Sequence, residues 1–220
     1  MGAFGNDDGG DVAGKVYLFL GDTLAGAAAF AATDADLMMV GNGDFVHLGG
    51  ALSSADDLNE DGHDDWMVGA DGATDEAGDR RGAVYVVSST QALLGTTSTP
   101  AAADVEIVGE TSSRFGGAMS AGDFDGNGET DLAVRASTEP AGKVYVVLDQ
   151  DLPRSGTMDA IDATFVFGPE DEDSELDGAI GMGGDVDGDG RAELLIGTWG
   201  WDPNGTIDKW YGRAFLVLGR

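Results

Sequence analysis

The chain contains no cysteine, only five prolines in 220 residues, and eleven lysines and arginines against 41 aspartates and glutamates. The absence of cysteine excludes disulfides, so the redox compartment cannot be inferred from them. The sequence has no run of 18 or more apolar residues, so no membrane-spanning helix is predicted. Its formal net charge of −30 repels phosphate backbones and anionic lipid surfaces. We therefore expect neither nucleic-acid binding nor membrane insertion.

The chain is rich in apolar residues and glycine. Apolar residues make up 42% of the chain, enough for a sizeable core, and there are 37 glycines. No long stretch has the composition of a helix. Short runs of β-branched and aromatic residues alternate instead with glycine-rich turns. The sequence therefore predicts an all-β fold.

A glycine followed by a short apolar strand occurs four times. The copies begin at Gly14, Gly82, Gly142 and Gly212, at intervals of 68, 60 and 70 residues. Such intervals are too long for solenoid repeats and suit a four-stranded propeller blade. The predicted fold class is therefore a β-propeller segment built from four-stranded antiparallel sheets.

Other strands recur in step with this one. Outer strands are predicted at residues 36–41, 104–109 and 162–168, inner strands at 45–50, 115–119 and 176–181, and second strands at 66–70, 132–136 and 194–198. The predicted order in each unit is inner strand, acidic loop, second strand, third strand, outer strand. The chain is thus predicted as one segment, 1–220, with blade repeats at about 1–41 (partial), 42–109, 110–168 and 169–220. That gives about three complete or nearly complete blades and a partial N-terminal blade.

This number of blades is too small for a closed ring. Propellers usually have about four to eight blades, and an open stack of sheets leaves apolar faces uncovered. Either the sequence is a piece of a longer chain, or two copies associate as half-rings. We favour association, and therefore expect a homodimer that completes the propeller.

Three nine-residue loops, at 57–65, 123–131 and 185–193, carry oxygen-bearing side chains at positions 1, 3, 5 and 9. These residues are Asp57, Asn59, Asp61 and Asp65; Asp123, Asp125, Asn127 and Asp131; and Asp185, Asp187, Asp189 and Glu193. Calcium takes about six to eight oxygen ligands, and alternate positions of a curled loop direct their oxygens to one centre. Position 7, occupied by His63, Glu129 and Arg191, is expected to supply its backbone carbonyl, so that its side chain is free to vary. The sequence therefore predicts three Ca²⁺ sites.

These loops have two other interpretations. A helical EF-hand shares the first half of the pattern but needs a bidentate glutamate at position 12, where this chain has Val68, Val134 and Ile196. Clusters of Asp-Gly and Asn-Gly can also be no more than turns. Three loops at a matched place in the repeat favour metal binding over turns alone.

With these features in place, the chain resembles the FG-GAP repeats of integrin α-subunit propellers and related bacterial surface proteins. Phe115-Gly116 corresponds to the first half of that motif, and Val68-Gly69-Ala70-Asp71 to the second, where the family usually has Gly-Ala-Pro. The proline is absent from every copy, and Phe45-Val46 and Leu176-Asp177 depart from Phe-Gly. The resemblance implies a propeller with metal loops on one rim that stiffen a surface used for protein contacts. It implies binding rather than catalysis.

Few residues suit catalysis. There is no cysteine nucleophile, and the only histidines are His47, in a predicted inner strand, and His63, in a calcium loop. Carboxylate pairs are so abundant that any two could be taken for a hydrolase dyad, and solvated surface or calcium ligation explains them better. Trp199, Trp201 and Trp210 suit a carbohydrate-binding rim or, more simply, packing between blades. The acidic stretch 170–175 suits a partner-docking segment or, more simply, a solvated loop.

These observations predict a calcium-binding, non-catalytic adhesion or protein-interaction module of an extracellular or cell-surface protein. The alternative is a non-catalytic propeller attached to a secreted enzyme and carrying a carbohydrate-binding site. The expected partner is a protein or an extracellular matrix or glycan ligand. The weak calcium affinity usual for extracellular modules points outside the cytoplasm. The first residues lack the basic and apolar regions of a signal peptide, which upstream sequence could supply.

Overall fold

A computed structural model of the chain describes residues 1–25, 29–58, 62–88, 97–137, 142–169, 176, 178–198 and 212–220. Its strands are β1 (Gly2–Ala3), β2 (Lys15–Leu18), β3 (Leu37–Val40), β4 (Leu52–Ser54), β5 (Trp66–Ala70), β6 (Ala83–Val87), β7 (Thr97–Ser98), β8 (Val105–Val108), β9 (Phe115–Gly122), β10 (Asp131–Ala136), β11 (Lys143–Val147), β12 (Gly156–Asp159), β13 (Phe165–Phe167), β14 (Ile180–Gly184), β15 (Glu193–Thr198) and β16 (Arg213–Val217). The helices are one α-helical turn, α1 (Gly21–Leu24), and four 3₁₀ turns at Ala32–Asp34, Pro100–Ala102, Asp149–Asp151 and Ala160–Asp162. Across the described ranges, no helix has the length and apolar composition needed to cross a bilayer.

The strands form four sheets, which we name as blades. Blade 1 contains β1, β2 and β3; blade 2 contains β4, β5, β6 and β8; blade 3 contains β9, β10, β11 and β13; and blade 4 contains β14, β15 and β16. Neighbouring strands within each blade pair antiparallel. Blades 2 and 3 follow the order inner, second, third, outer, whereas the described strands of blade 1 are its second, third and outer strands and those of blade 4 its inner, second and third strands. The all-β fold and its four-stranded propeller blades are thus confirmed, as is the predicted order of strands.

Alternate side chains of the central strands pack against two different neighbouring blades. In β6, Val84 and Val86 belong to the core between blades 2 and 3, whereas Tyr85 and Val87 belong to the core between blades 1 and 2. All five residues of β6 are buried as a result. Each fully buried side chain of this size contributes about 1.5–3 kcal/mol. Burial on both faces explains why these strands are continuous apolar runs rather than polar and apolar alternations.

The far face of blade 4 lacks such a neighbour among the described residues. Leu195 on β15 and Leu216 on β16 are directly opposed cross-strand partners. Their exposed fractions are 49% and 51%. This pair is therefore an apolar surface of the kind that the other blades bury against each other.

Glycine allows the blades to meet backbone to backbone at their inner edge. A Cβ on Gly69 of β5 would lie 2.2 Å from the carbonyl oxygen of Gly116, and one on Gly2 of β1 would lie 2.1 Å from that of Gly49. Blade 4 has Gly197 at the same place of its second strand. Blade 3 has an arginine there, Arg135, which lies opposite Val144 as Gly69 lies opposite Val84.

The inner strand of blade 2 begins later than the sequence predicted. Residues 45–50 were expected to form it, but β4 is Leu52–Ser54 and Leu48 makes only an isolated bridge to Gly14. Phe45 and His47 adopt left-handed backbone angles, with φ of 58° and 60°, which interrupt an extended strand. Phe115 bridges Gly82 in the same way. Leu48-Gly49, rather than Phe45-Val46, therefore occupies the place of Phe115-Gly116.

The inner strand of blade 4 is displaced in the same direction. It was predicted at residues 176–181, whereas β14 spans Ile180–Gly184. Of the predicted residues, Leu176 is buried in the core between blades 3 and 4 and Asp177 lies outside the described residues. The small residues of this segment suited an inner strand, but the pairing with β15 begins only at Ile180.

Two short strands were not predicted. In each case the connection between the third and outer strands of one blade crosses to the previous blade: β7 pairs parallel with β3, and β12 pairs parallel with β8. Blade 2 thereby has a fifth strand. These strands read Thr97-Ser98 and Gly156-Thr157-Met158-Asp159, which lack the apolar and β-branched runs that identify a strand in sequence. We call β7 and β12 the cross-blade strands.

Candidate metal centre

Two acidic clusters lie in the loops that join an inner strand to a second strand. The first, between β9 and β10, contains Asp123, Asp125 and Asp131. The second, between β14 and β15, contains Asp185, Asp187, Asp189 and Glu193. Within each cluster the carboxylate oxygens lie within 4.8 Å of one another. The structure therefore brings together, in two of the three loops, the carboxylates that the sequence grouped.

All three loops are curled by the same hydrogen bond. The amide of the glycine at position 6 donates to the aspartate at position 1, over 2.9 Å for Gly62 to Asp57, 2.9 Å for Gly128 to Asp123, and 3.0 Å for Gly190 to Asp185. These glycines have φ of 89°, 92° and 89°, a left-handed conformation that a side chain would strain. The loops thus share one backbone frame, and glycine is required at its tightest point.

The acid at position 9 is buried in every loop, with Asp65, Asp131 and Glu193 exposed by 2%, 0% and 3%. Asp131 accepts backbone hydrogen bonds from Phe124, Asp125 and Asp149 at 2.7, 3.2 and 2.9 Å. Its pKa is raised to about 6, chiefly because burial penalises the charged form.

Glu193 is held differently. Its Oε2 accepts the amide of Val186 at 2.5 Å. Its Oε1 is buried and has no hydrogen-bond partner among the described residues. A buried carboxylate oxygen left without a partner is costly. Glu193 belongs to the same cluster as Asp185, Asp187 and Asp189.

These donors fit a hard divalent cation. The clusters offer only oxygen, and among the described residues Arg191 is a basic group close to a carboxylate of the third loop, with its Nη1 3.5 Å from Asp189. A cation at the centre would neutralise the grouped carboxylates and give Glu193 Oε1 its missing partner. Oxygen-only ligands favour calcium or magnesium over the softer transition metals.

The first loop is described only in part. Asn59 and Asp61, predicted at positions 3 and 5, lie outside the described residues together with Glu60. Asp57 and Asp65 keep the places seen in the other loops, one accepting the glycine amide and the other buried. His63 is exposed. The calcium site predicted for this loop stays a prediction, as do those predicted for the other two loops.

Position 7 of the third loop has a role that the sequence did not predict. Its carbonyl was expected to be the ligand and its side chain to be free to vary. Arg191, however, reaches the neighbouring loop, where its Nε donates to the carbonyl of Asp125 at 3.2 Å. The amide of Ala192 also donates to the carbonyl of Asp123 at 2.7 Å. The second and third loops are therefore in direct contact across the boundary between two blades.

Two acids outside the predicted set support these loops. Asp149 accepts Nδ2 of Asn127 at 2.8 Å, and Asp56 accepts the hydroxyl of Thr130 at 3.2 Å. Each lies far along the chain from the residue it contacts, so no local pattern marks it. The backbone amide of Glu129 is also held within its loop, by Oδ1 of Asn127 at 2.7 Å.

Of the other residues that the sequence singled out, several lie outside the described residues: Trp199, Trp201, Trp210 and the acidic stretch 170–175. His47 lies in a cavity at the opposite end of the strands.

Comparison with known proteins matches the same region. The family model described as FG-GAP repeat matches residues 115–147, which span β9, the second loop, β10 and β11. Phosphatidylinositol-glycan-specific phospholipase D of Rattus norvegicus is 32% identical over 163 residues, which cover 69% of this chain and 18% of the relative. The human protein of that name is 30% identical over 180 residues, covering 78% and 21%. Integrin alpha pat-2 of Caenorhabditis briggsae is 31% identical over 170 residues, covering 76% and 13%.

The chain thus spans about a fifth or less of the length of these relatives. The aligned share of this chain is large in each case, and the relatives agree with the repeat found in the sequence and with the blades seen in the structure. We conclude that the chain belongs to the FG-GAP repeat family and is a propeller segment similar in sequence to integrin alpha pat-2 and to phosphatidylinositol-glycan-specific phospholipase D.

Proposed function

We propose that the chain is a calcium-binding, non-catalytic module for adhesion or protein interaction in an extracellular or cell-surface protein. The observation that carries the proposal is the third loop, where four carboxylates converge and one buried oxygen has no protein partner among the described residues. The second loop repeats its backbone frame and its buried position 9.

Calcium fits this frame better than magnesium. Calcium accepts about six to eight oxygens at flexible geometry, whereas magnesium demands near-ideal octahedral geometry and keeps several waters. The loops supply side-chain oxygens at four positions and a carbonyl at position 7, which is a dense set of protein ligands. Modules with about millimolar affinity are filled outside the cytoplasm, which supports the proposed location.

A non-catalytic role is supported by the kinds of groups at hand. The clustered acids lie in loops whose geometry suits a structural cation, and the chain has no cysteine to act as a nucleophile. The loops also make direct contacts between neighbouring blades. A cation there would stiffen the rim, which is what a binding surface requires.

The relatives support a second candidate. Several of them are named phosphatidylinositol-glycan-specific phospholipase D, and the chain spans 18–21% of their length. The chain could therefore be a non-catalytic propeller attached to a secreted enzyme, with a glycan as its ligand. Trp199, Trp201 and Trp210 are the residues we would test for that ligand.

The metal assignment is tested by counting bound calcium in the intact protein by native mass spectrometry. We expect three calcium ions in the wild type and two in each of Asp57→Ala, Asp123→Ala and Asp185→Ala, because each variant removes position 1 of one loop. Asp79→Ala is the matched control, since Asp79 is an exposed acid outside the loops. A count that stays at the wild-type value in all three variants would show that the ligands are assigned wrongly.

We also propose that the chain associates with a second copy of itself. The exposed leucine pair of blade 4 is the surface that another blade would cover. Light scattering at rising protein concentration should give a mass near twice 22.5 kDa, and Leu216→Glu should lower that mass toward the monomer. Ala77→Glu, at an exposed turn residue of blade 2, adds the same single negative charge and is the control. A monomer at high concentration contradicts self-association and leaves a different protein as the partner.

A further inference from the structure

A cavity of about 300 Å³ lies at the end of the strands opposite the acidic loops. Its wall includes Phe4, His47, Asp71, Arg114 and Arg135. Asp71 and Arg135 come from the carboxyl ends of second strands, whereas His47 and Arg114 directly precede the bridge residues Leu48 and Phe115. The cavity thus lies between blades 1, 2 and 3, away from every predicted metal ligand.

Basic groups are concentrated here. The whole chain has only eleven lysines and arginines, and two arginines line this one cavity with a single carboxylate between them. Oδ1 of Asp71 lies 2.8 Å from Nδ1 of His47, and its Oδ2 accepts Nη2 of Arg114 at 3.0 Å. Burial lowers the pKa of Arg135, the nearby charge of Asp71 partly offsets that effect, and the positive charge of Arg114 adds a smaller lowering. The cavity therefore has a net positive charge on a strongly acidic protein.

The backbone is strained to place these side chains. His47 has φ of 60° and Arg114 has φ of 47°, a left-handed conformation in which glycine would cost less. Arg135 stands where the second strands of the other three blades have Gly2, Gly69 and Gly197. Its Nη2 lies against Gly117, where a Cβ would be only 2.7 Å away. Three positions that favour glycine thus carry ionisable side chains around one cavity.

We propose that this cavity binds a carboxylate group of a ligand. Asp71 fixes the orientation of His47 and Arg114 and accepts one N–H of the guanidinium, which leaves further N–H groups of Arg114 for a ligand. The planar fork of a guanidinium matches a carboxylate in two parallel hydrogen bonds. The ring of Phe4, which contacts His47 edge-on at 6.3 Å between centroids, provides an apolar wall for the adjoining carbon atoms.

The rest of the protein limits the ligand to a single acidic group. A net charge of −30 repels polyanions at long range, and only a short-range contact inside the cavity can overcome that field. A cavity of about 300 Å³ is at the small end of ligand sites. An acidic amino-acid side chain and a free sugar acid share this chemistry. The inference goes beyond the proposed calcium function and does not depend on it.

The test is calorimetric titration of the intact chain at fixed ionic strength and with calcium held constant. The probes are N-acetyl-aspartate amide, glucuronate and inorganic phosphate. We expect saturable binding of one carboxylate probe per chain, at least tenfold tighter than phosphate. Tighter binding of the aspartate probe identifies a peptide source, and tighter binding of glucuronate a sugar acid. Phosphate that binds as tightly as both carboxylates overturns the proposal, and so does a lack of saturation by either carboxylate.

Two glycine variants separate loss of binding from loss of folding. Arg114→Gly removes the backbone strain of a non-glycine residue in the left-handed conformation. Arg135→Gly places at this position the residue that the second strands of the other three blades have there. Both should keep the wild-type melting temperature or exceed it while weakening carboxylate binding at least tenfold. Arg80→Gln, at an exposed arginine outside the cavity lining, is the control for the change in net charge and should bind as the wild type does. Unchanged binding in both glycine variants, or an equal loss in the control, overturns the proposal.

Discussion

Millimolar calcium should raise the melting temperature of this chain by about 6 to 16 °C over the same protein in chelator. When the free calcium concentration is about ten times the dissociation constant of a site, binding adds about 1.4 kcal/mol to the free energy of unfolding. Two or three such sites add about 3 to 4 kcal/mol. For a chain of this size each kcal/mol corresponds to about 2–4 °C. The total is a large part of a typical domain stability of about 5–15 kcal/mol.

Differential scanning calorimetry in chelator, in calcium and in magnesium measures this effect. Magnesium is the matched control, because it carries the same charge but tolerates fewer protein ligands. We expect it to give a clearly smaller increase. A midpoint that does not move between chelator and calcium would refute a structural role for the metal, whatever the geometry of the loops.

Two conservative substitutions at position 9 should have opposite effects in chelator. Glu193→Gln keeps an oxygen for the amide of Val186 and removes charge from a buried oxygen that has no partner among the described residues. We expect it to be at least as stable as the wild type without metal. In calcium this variant should lose the stabilisation that calcium gives at the third loop, because a neutral amide is a poorer ligand than a carboxylate. That stabilisation is about 1.4 kcal/mol when the calcium concentration is about ten times the dissociation constant.

Asp131→Asn should instead be destabilised with and without calcium. Both oxygens of Asp131 accept backbone amides, and the amide nitrogen of asparagine cannot accept, so at least one buried N–H loses its partner. Such a loss costs about 1–3 kcal/mol. Urea unfolding of both variants with and without calcium provides the comparison. If Glu193→Gln loses as much stability in chelator as Asp131→Asn does, then both oxygens of Glu193 have partners within the protein, and a metal site in the third loop is no longer supported.

The sequence predicted the blades well where burial alone decides the structure. The runs at β6 and β11 are apolar at every central position because both faces are covered, and such runs are visible without any knowledge of neighbours. The acidic loops were predictable for a different reason. All of their predicted ligands lie within nine residues, and the glycine at position 6 marks the turn that curls the loop.

The features that escaped prediction depend on partners distant in sequence. The inner strand of blade 2 is delayed because Phe45 and His47 take up left-handed angles that their side chains give no reason to expect. The bond from Arg191 to Asp125 joins residues 66 positions apart. The residues that line the cavity between blades 1, 2 and 3 come from separate parts of the chain. Phe4 and Arg135 become neighbours only once the blades are stacked.

The cross-blade strands give the array a direction. Each one belongs to a later blade and protects the outer edge of an earlier blade, so β12 of blade 3 covers β8 of blade 2, and β7 of blade 2 covers β3 of blade 1. Melting of a later blade therefore exposes an edge of its predecessor, whereas melting of an earlier blade strips no such strand from its successor. Fraying should accordingly spread more easily toward the N-terminus than toward the C-terminus, and an edge uncovered in this way is open to strand exchange with another molecule.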